Sequence, residues 1–202
     1  LLLNTKGLKF KKVWRTLFVI TIAVPQFVSL LLMRNFLNDN GPLNGLLQTL
    51  HITNGPIPFL TDPLWAKFSI IFVNMWIGIP FTMLVATGII MNLPTEQIEA
   101  AEIDGASKFQ IFKSITFPQI LLIMAPSLIQ QFIGNINNFN VIYFLTGGGP
   151  TNSEYYQAGS TDLLVTWLYK LTVSAKDYNL ASVIGILIFA ISATFSLLAY
   201  TR

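Results

Sequence analysis

The sequence has 202 residues, of which 53% are hydrophobic and 10% are charged, and its formal net charge is +3. Soluble domains carry about 25% charged residues, so this composition indicates a membrane protein and excludes an ordinary soluble domain. The chain contains no cysteine, which excludes disulfides and thiol chemistry.

The start of the chain combines clustered positive charge with a long apolar run. The basic residues before the run are Lys6, Lys9, Lys11, Lys12 and Arg15. No charge occurs between Arg15 and Arg34, which predicts a first span at about 14–37, kinked at Pro25. Because a span follows at once, we expect the basic cluster at a membrane surface and not on nucleic acid. The leading leucines resemble the end of an earlier helix, so we expect further N-terminal helices.

Three further uncharged runs predict membrane helices, which makes the fold class an all-α membrane protein with four spans. These spans are predicted at about 64–92, 118–145 and 178–201. Residues 38–63 are rich in Gly-Pro, Asn-Gly and Asp-Pro, and residues 146–177 begin with Gly-Gly-Gly-Pro. Such breakers predict turns and loops, so both segments are interpreted as external loops.

Residues 93–117, between the second and third spans, are strongly charged. They are predicted to form a cytoplasmic loop with a short amphipathic helix that ends at Gly105, where a residue with positive φ is needed. A second helical piece, from Ser107 to Thr116, is predicted to lead into a break at Pro118. Eight basic residues then lie on the cytoplasmic side and four on the outer side, as the positive-inside rule requires.

The second half of the third span is unusually polar. Its amide residues are Gln130, Gln131, Asn135, Asn137, Asn138 and Asn140. Amides in hydrocarbon need partners, so these side chains cannot all face lipid. The spacing of Gln131, Asn135 and Asn138 predicts one polar stripe that matches the hydroxyls of a neutral sugar, with Phe132 and Phe139 able to stack on a sugar ring. The alternative, amides that bond neighbouring helices, stays open for each residue.

The charged loop resembles a known motif. Glu99-Ala100-Ala101, Gly105, Ile115 and Phe117-Pro118 follow the pattern E-A-A-x3-G-x9-I-x-L-P, except that Phe117 stands where leucine is usual. This pattern is similar to the EAA loop of permeases of bacterial ATP-binding-cassette (ABC) importers. The resemblance implies a polytopic helical bundle of the type I importer kind. It also implies a coupling helix that contacts the ATPase through Glu99, Ala100, Ala101, Asp104 and Gly105.

Three further stretches are similar to the maltose/maltodextrin branch of these permeases, the MalF type, so the resemblance covers nearly the whole chain. They lie at 76–81, 135–139 and 145–150, the last followed by a similar run at 158–165. In that branch the residues matching Gly78, Asn135 and Asn138 contact the sugar. Phe81 stands where a tyrosine is expected and Gln131 where a serine is expected, and we include both in the expected sugar site.

The same resemblance implies a location and partners. The chain is expected in the bacterial cytoplasmic membrane, as part of a multi-pass permease. Its expected partners are a second homologous permease subunit (MalG-like), two ABC ATPase subunits, an extracytoplasmic sugar-binding protein and the lipid bilayer, with no nucleic acid. The chain lacks the G-x-x-x-x-G-K-[ST] phosphate loop, so ATP and Mg are expected on the ATPase subunits and no cofactor on this chain.

Other functions need residues that the sequence does not offer. An ion-coupled carrier would use a titratable group near the centre of a span, and the four predicted spans have none there. A membrane enzyme needs a nucleophile with a base or a metal cluster, whereas His51 is alone, so neither catalytic nor metal residues are expected. An importer of another solute, such as an amino acid, would share the EAA loop, although a charged solute should recruit an opposite charge.

Overall fold

The computed structural model describes residues 22–200 and three isolated earlier positions, 13, 16 and 20. Nearly all regular structure in this part of the chain is helical. It contains no strand, and a single isolated β-bridge pairs Thr151 with Gly159. The expected all-α class is therefore confirmed.

Eight helices are numbered here in chain order. They are α1 (Gln26–Phe36), α2 (Pro42–Thr49), α3 (Pro63–Met91), α4 (Thr95–Ile103), α5 (Lys108–Ile136), α6 (Phe139–Leu145), α7 (Leu164–Lys170) and α8 (Tyr178–Tyr200). Helix α5 contains a π-helical turn at Phe112–Thr116, and a second π-helical turn, Leu171–Ala175, continues α7.

Three of the described helices are long and apolar enough to cross a membrane. They are α3 with 29 residues, α5 with 29 residues and the first 22 residues of α8. At about 1.5 Å per residue, 22 helical residues extend about 33 Å, which matches a hydrocarbon core of about 30 Å.

The predicted first span, 14–37, differs from the structure where it is described. Residues 22 and 23 are helical, Val24 and Pro25 are not, and α1 begins at Gln26. The expectation of one helix kinked at Pro25 is therefore wrong in this region, because proline lacks an N–H and clashes with the preceding turn. The basic cluster from Lys6 to Arg15, most of the first half of this span and Arg202 lie outside the described residues.

The predicted third span, 118–145, also differs at both ends. Helix α5 begins at Lys108, so the expected break at Pro118 is wrong; a π-helical turn immediately precedes this proline, and Phe117 N–H bonds to Phe112 O. Wider π-helical turns accommodate a residue that cannot join the regular hydrogen-bond ladder. At the other end, α5 stops at Ile136, and Asn138 caps a separate helix, α6.

The chain divides into two compact units, each described by itself. The core unit comprises 24–77 and 132–202, and the EAA unit comprises 78–131 with the residues before 24. In the core unit, α1, α3 and α6 bury an aliphatic cluster of Leu30, Leu37, Val73, Val141 and Leu145. A second cluster joins Leu171 to Ala181 and Ile184 of α8. Burial of these side chains removes apolar surface from water and holds the unit together.

Two connecting segments of the core unit are held by buried polar side chains. In 38–63, the amide of Asn44 is 1% exposed; it donates to the carbonyls of Asn38 (3.2 Å) and Ile57 (3.0 Å) and accepts from Ile57 N–H (2.8 Å). In 146–162, Asp162 pairs with Lys170 Nζ at 2.6 Å and accepts from Gly159 N–H at 2.7 Å. Both segments are therefore fixed by contacts within the chain.

Candidate functional site

Three asparagines of the core unit form a hydrogen-bonded amide network. Asn74 of α3 donates from Nδ2 to Asn135 Oδ1 of α5 at 2.8 Å, and Asn138 Nδ2 donates to Asn74 Oδ1 at 2.9 Å. Asn135 is exposed, and the other two are half-buried. Each amide carries both donors and acceptors, and none carries a charge. The network therefore suits a neutral hydroxylated ligand better than an ion.

Asn138 has a second role at the start of α6. Its Oδ1 accepts from Val141 N–H at 3.3 Å, which makes it the N-cap of that helix. The predicted continuous stripe of Gln131, Asn135 and Asn138 is therefore wrong, because Asn138 lies beyond the end of α5. Asparagine competes with the helical backbone for hydrogen bonds, and this competition favours a helix boundary at such a residue. Asn135 and Asn138 nevertheless meet, through Asn74.

Two of the remaining amides connect helices. Asn137 Nδ2 donates to Ser192 Oγ of α8 at 2.9 Å, and Asn140 Nδ2 donates to Gln26 Oε1 of α1 at 3.3 Å. For these two residues the structural alternative, amides that bond neighbouring helices, is the one observed.

The other predicted sugar-site residues belong to the EAA unit. The Thr82 hydroxyl lies 2.9 Å from Gln131 Oε1 and 3.2 Å from the carbonyl oxygen of Gly78, and its one proton serves one of them at a time. A Cβ built on Gly78 would meet no atom within 4 Å, and Phe81 is exposed. Gly78 and Phe81 thus border open space, and Gln131 is oriented by α3.

Asn74 and Thr82 were not predicted as site residues. Asn74, Gly78 and Thr82 are spaced four residues apart on α3, so small and polar residues recur at the period of one helical face. That recurrence within an otherwise apolar helix is the signal that identifies them.

The EAA loop (93–117) is built by local hydrogen bonds. Helix α4 ends in a Schellman motif, in which Ala106 N–H bonds Ala101 O at 2.9 Å and Gly105 N–H bonds Glu102 O at 3.1 Å. Gly105 has φ +78°, which confirms the predicted helix end. Helix α5 then begins with a capping box between Ser107 and Gln110.

Helix α4 has no buried residue. Glu99, Ala100 and Asp104 are exposed and Ala101 is half-buried. Two apolar side chains beside these residues are also uncovered, since Ile103 is 86% exposed and Phe109 is 70% exposed. Uncovered apolar side chains next to charged ones are typical of a surface that binds a protein partner.

Residues 2–202 match the family described as binding-protein-dependent transport system inner membrane component. The chain belongs to this family. It is accordingly a multi-pass inner-membrane protein, which confirms the resemblance and the location expected from the sequence.

Named relatives are sugar permeases. The chain is 42% identical over 192 residues to the galactooligosaccharides permease GanP of Bacillus subtilis, covering 93% of this chain and 45% of GanP. It is 37% identical over 207 residues to the maltodextrin permease MalC of Streptococcus pneumoniae, covering 98% of this chain and 47% of MalC. For the maltose/maltodextrin permease MalF of Vibrio cholerae the identity is 37% over 199 residues, covering 96% and 37% of the two chains. The chain thus spans less than half the length of each.

A solved structure shares the fold. It is a bacterial alginate ABC transporter in complex with an alginate pentasaccharide-bound periplasmic protein, with TM-score 0.82 and 25% identity, covering 98% of this chain and 66% of that chain. The likeness confirms the importer-permease fold class. Among the described residues, no group of three or more His, Cys, Asp or Glu side chains could hold a metal ion.

Proposed function

We propose that this chain is part of the permease subunit of an ATP-driven importer that carries maltose, maltodextrin or a related neutral oligosaccharide. The observation that supports this most directly is the amide network of Asn74, Asn135 and Asn138 in a member of a transport family. Three uncharged groups that both donate and accept complement sugar hydroxyls without the cost of burying a charge. The names of the maltodextrin permeases support the same cargo.

The energy for transport is proposed to come from partner subunits. In this proposal the surface of Glu99, Ala100, Ala101, Asp104 and Gly105 docks on one of two ABC ATPase subunits, which bind ATP and Mg. A MalG-like permease completes the pathway, and an extracytoplasmic sugar-binding protein delivers the cargo. Short connections join α4 to α3 and α5, so movement of the docked helix would shift both long helices between two packings.

A second candidate cargo is a galactooligosaccharide. The relative with that name is 42% identical to this chain, against 37% for MalC. Both cargoes are neutral, so the amide network suits either. The choice between them therefore depends on side chains around the network and needs a direct comparison of cargoes.

The test is uptake by the complete importer in proteoliposomes, with the full-length permease, its partner subunits and its binding protein. Labelled maltose, maltoheptaose and a galactooligosaccharide serve as cargoes. Asn74→Ala and Asn135→Ala each remove a hydrogen-bonding partner worth about 0.5–1.5 kcal/mol, so we expect the half-saturating cargo concentration to rise about two- to tenfold. Gln130→Ala, an exposed amide on the same helix as Asn135, is the control and should change nothing.

Asn138 needs a separate variant because it also caps α6. Asn138→Ser keeps a capping oxygen and removes the amide, whereas Asn138→Ala removes both. We expect both variants to weaken uptake and only the alanine variant to lower thermal stability. Normal uptake by Asn74→Ala and Asn135→Ala would remove the network from the sugar site. Uptake of all three cargoes without ATPase subunits would contradict the importer proposal itself.

A further inference from the structure

Helix α6 has an aliphatic face and an aromatic face. Val141, Ile142 and Leu145 are buried in the core unit. Phe139 and Tyr143, one helical turn apart, lie on another side of the helix and stack on each other with ring centroids 4.9 Å apart and an angle of 18°. The aromatic face is therefore not needed to fill the aliphatic cluster.

Tyr169 of α7 completes this aromatic group. Its ring meets Phe139 and Tyr143 edge-on, with centroids 5.2 Å from each and angles of 68° and 75°. A side-chain hydrogen bond with Tyr143 raises the pKa of Tyr169 above its ordinary value of 10.0. Each phenol can both donate and accept a hydrogen bond, so the two tyrosines place polar groups beside an aromatic surface.

The aromatic group stays accessible and directly adjoins the amide network. Tyr143 is 37% exposed although three rings surround it. Asn138 immediately precedes Phe139, caps α6 and bonds Asn74, so the network fixes where the aromatic face begins. Tyr143 lies five residues beyond Asn138 and four residues, about 6 Å, beyond Phe139 along the helix. A ligand longer than one sugar unit at the network would therefore come within reach of this group.

We propose that Phe139, Tyr143 and Tyr169 form a second carbohydrate subsite, the tyrosine subsite, which takes a neutral pyranose unit of an oligosaccharide held at the amide network. The C–H face of a pyranose packs on an aromatic ring, and the two phenol hydroxyls can exchange hydrogen bonds with neighbouring sugar hydroxyls. The inference rests on the proposed function and adds cargo length to it: the subsite favours long oligosaccharides over short ones.

A membrane-interface belt is the other explanation for exposed tyrosines near the end of a span. Belt tyrosines present their hydroxyls to headgroups and water. In this chain the rings of Tyr143 and Tyr169 pack edge-on against each other with centroids 5.2 Å apart, and both rings meet Phe139. Three mutually packed rings on adjoining helices, next to an amide network, favour the subsite.

The experiment uses the complete importer in proteoliposomes and compares labelled maltose with maltoheptaose. Tyr143→Leu removes the ring and the hydroxyl, whereas Tyr143→Phe and Tyr169→Phe keep the ring and each remove one hydroxyl. For maltoheptaose we expect the half-saturating concentration to rise about tenfold in Tyr143→Leu and about two- to threefold in the phenylalanine variants, with maximal rate unchanged. For maltose the change stays below about twofold in all three.

Tyr155→Leu is the matched control, because Tyr155 is an exposed tyrosine outside the aromatic group, and it should behave as the parent. Equal changes for the two cargoes, or none, would overturn the subsite, since a belt or a packing role does not depend on cargo length. If the parent importer takes up both sugars and the variants show no selective loss of maltoheptaose uptake, the subsite is refuted and the proposed function is not. Parent importer that takes up neither these two sugars nor a galactooligosaccharide refutes the proposed function and the subsite together.

Discussion

The segments 38–63 and 146–162 differ from the EAA loop in the burial and hydrogen bonding of their side chains. The two segments contain side chains buried by the chain itself: Asn44 bonds the backbone of Ile57, 13 residues away, and Asp162 bonds Gly159 N–H and the ammonium of Lys170 in α7. In the EAA loop, α4 buries no residue; the loop is held by the Schellman motif, the capping box of α5 and an exposed hydrogen bond from Gln119 Nε2 to Gln97 Oε1.

The difference distinguishes segments that are stabilised within the chain from a loop whose surface is left uncovered. The two segments are completed by contacts within the chain, so their loss should appear as lower stability of the protein. The EAA loop has a defined shape but leaves Ile103 and Phe109 uncovered. Changes of its exposed side chains should therefore act on a partner contact and leave stability nearly unchanged, whereas a change at Gly105 adds the cost of its left-handed backbone. The predictions below test this distinction.

The largest effect is expected from Lys170→Met. The Asp162 side chain is 2% exposed, and losing Lys170 leaves its carboxylate buried with Gly159 N–H as its main remaining partner. Breaking one side of a buried pair costs several kcal/mol; with Lys170 itself partly exposed we expect about 3 kcal/mol of unfolding free energy. Thermal or denaturant unfolding of the purified permease in detergent measures it. Lys67→Met, an exposed lysine of α3, is the control, and equal stability of the two variants would contradict the prediction.

Asn44→Ala should have the next largest effect. It removes three hydrogen bonds and leaves the N–H and carbonyl of Ile57 without their partner. Unmade hydrogen bonds at a buried site cost about 1–3 kcal/mol in total, so we expect about 2 kcal/mol, measured by the same unfolding assay. Asn54→Ala, an exposed asparagine of the same segment, should be neutral. If Asn44→Ala were equally neutral, the segment would not be held from within.

Gly105→Ala tests the EAA loop. A Cβ there would touch nothing within 4 Å, but φ is +78°, and left-handed backbone costs a non-glycine residue about 1–2 kcal/mol. We expect the unfolding free energy to fall by about 1 kcal/mol while ATP hydrolysis in the complete importer becomes uncoupled from uptake. Gly45→Ala, which also meets open space but lies within α2 and has no positive φ, should keep uptake coupled and should not lower the unfolding free energy, because alanine favours a helix interior. Uptake coupled as in the parent would contradict the prediction.

The smallest effect concerns the pKa of Tyr169, which the hydrogen bond with Tyr143 raises above 10.0. A raised folded-state pKa means that the protonated phenol is favoured, so this contribution to stability is present below pH 10 and lost as pH rises through the folded value. Tyr143→Phe should return the pKa of Tyr169 toward 10.0. NMR titration of ¹³Cζ-labelled tyrosine, with Tyr169→Phe for assignment, measures it. An unchanged titration would show that the hydrogen bond is absent.

The long apolar helices were the most predictable part of the fold. Helix α3, Pro63–Met91, lies within one residue of the expected 64–92, and α8 begins at the expected residue 178, because uncharged runs of this length report directly on helix length. The errors fall where local hydrogen bonding overrides apolarity. A π-helical turn carries α5 through Pro118, and Asn138 ends one helix by capping the next.

The candidate site was predictable by residue type but not by geometry. The amides Asn135 and Asn138 could be identified because polar side chains are costly in an apolar span. Their connection through Asn74 depends on how α3 packs against the end of α5, and spacing within one helix cannot give that contact. Tyr143 and Tyr169 are likewise brought together by packing between α6 and α7, which lie far apart in sequence.

The most direct test of the account is photo-crosslinking from position 103 in inside-out membrane vesicles that contain the complete importer. A photoreactive phenylalanine analogue replaces Ile103, whose side chain is 86% exposed. We predict a crosslink to the ATPase subunit that changes in yield when ATP is added. Crosslinks confined to lipid or to the extracytoplasmic binding protein, with no ATPase product in either nucleotide state, would contradict the account.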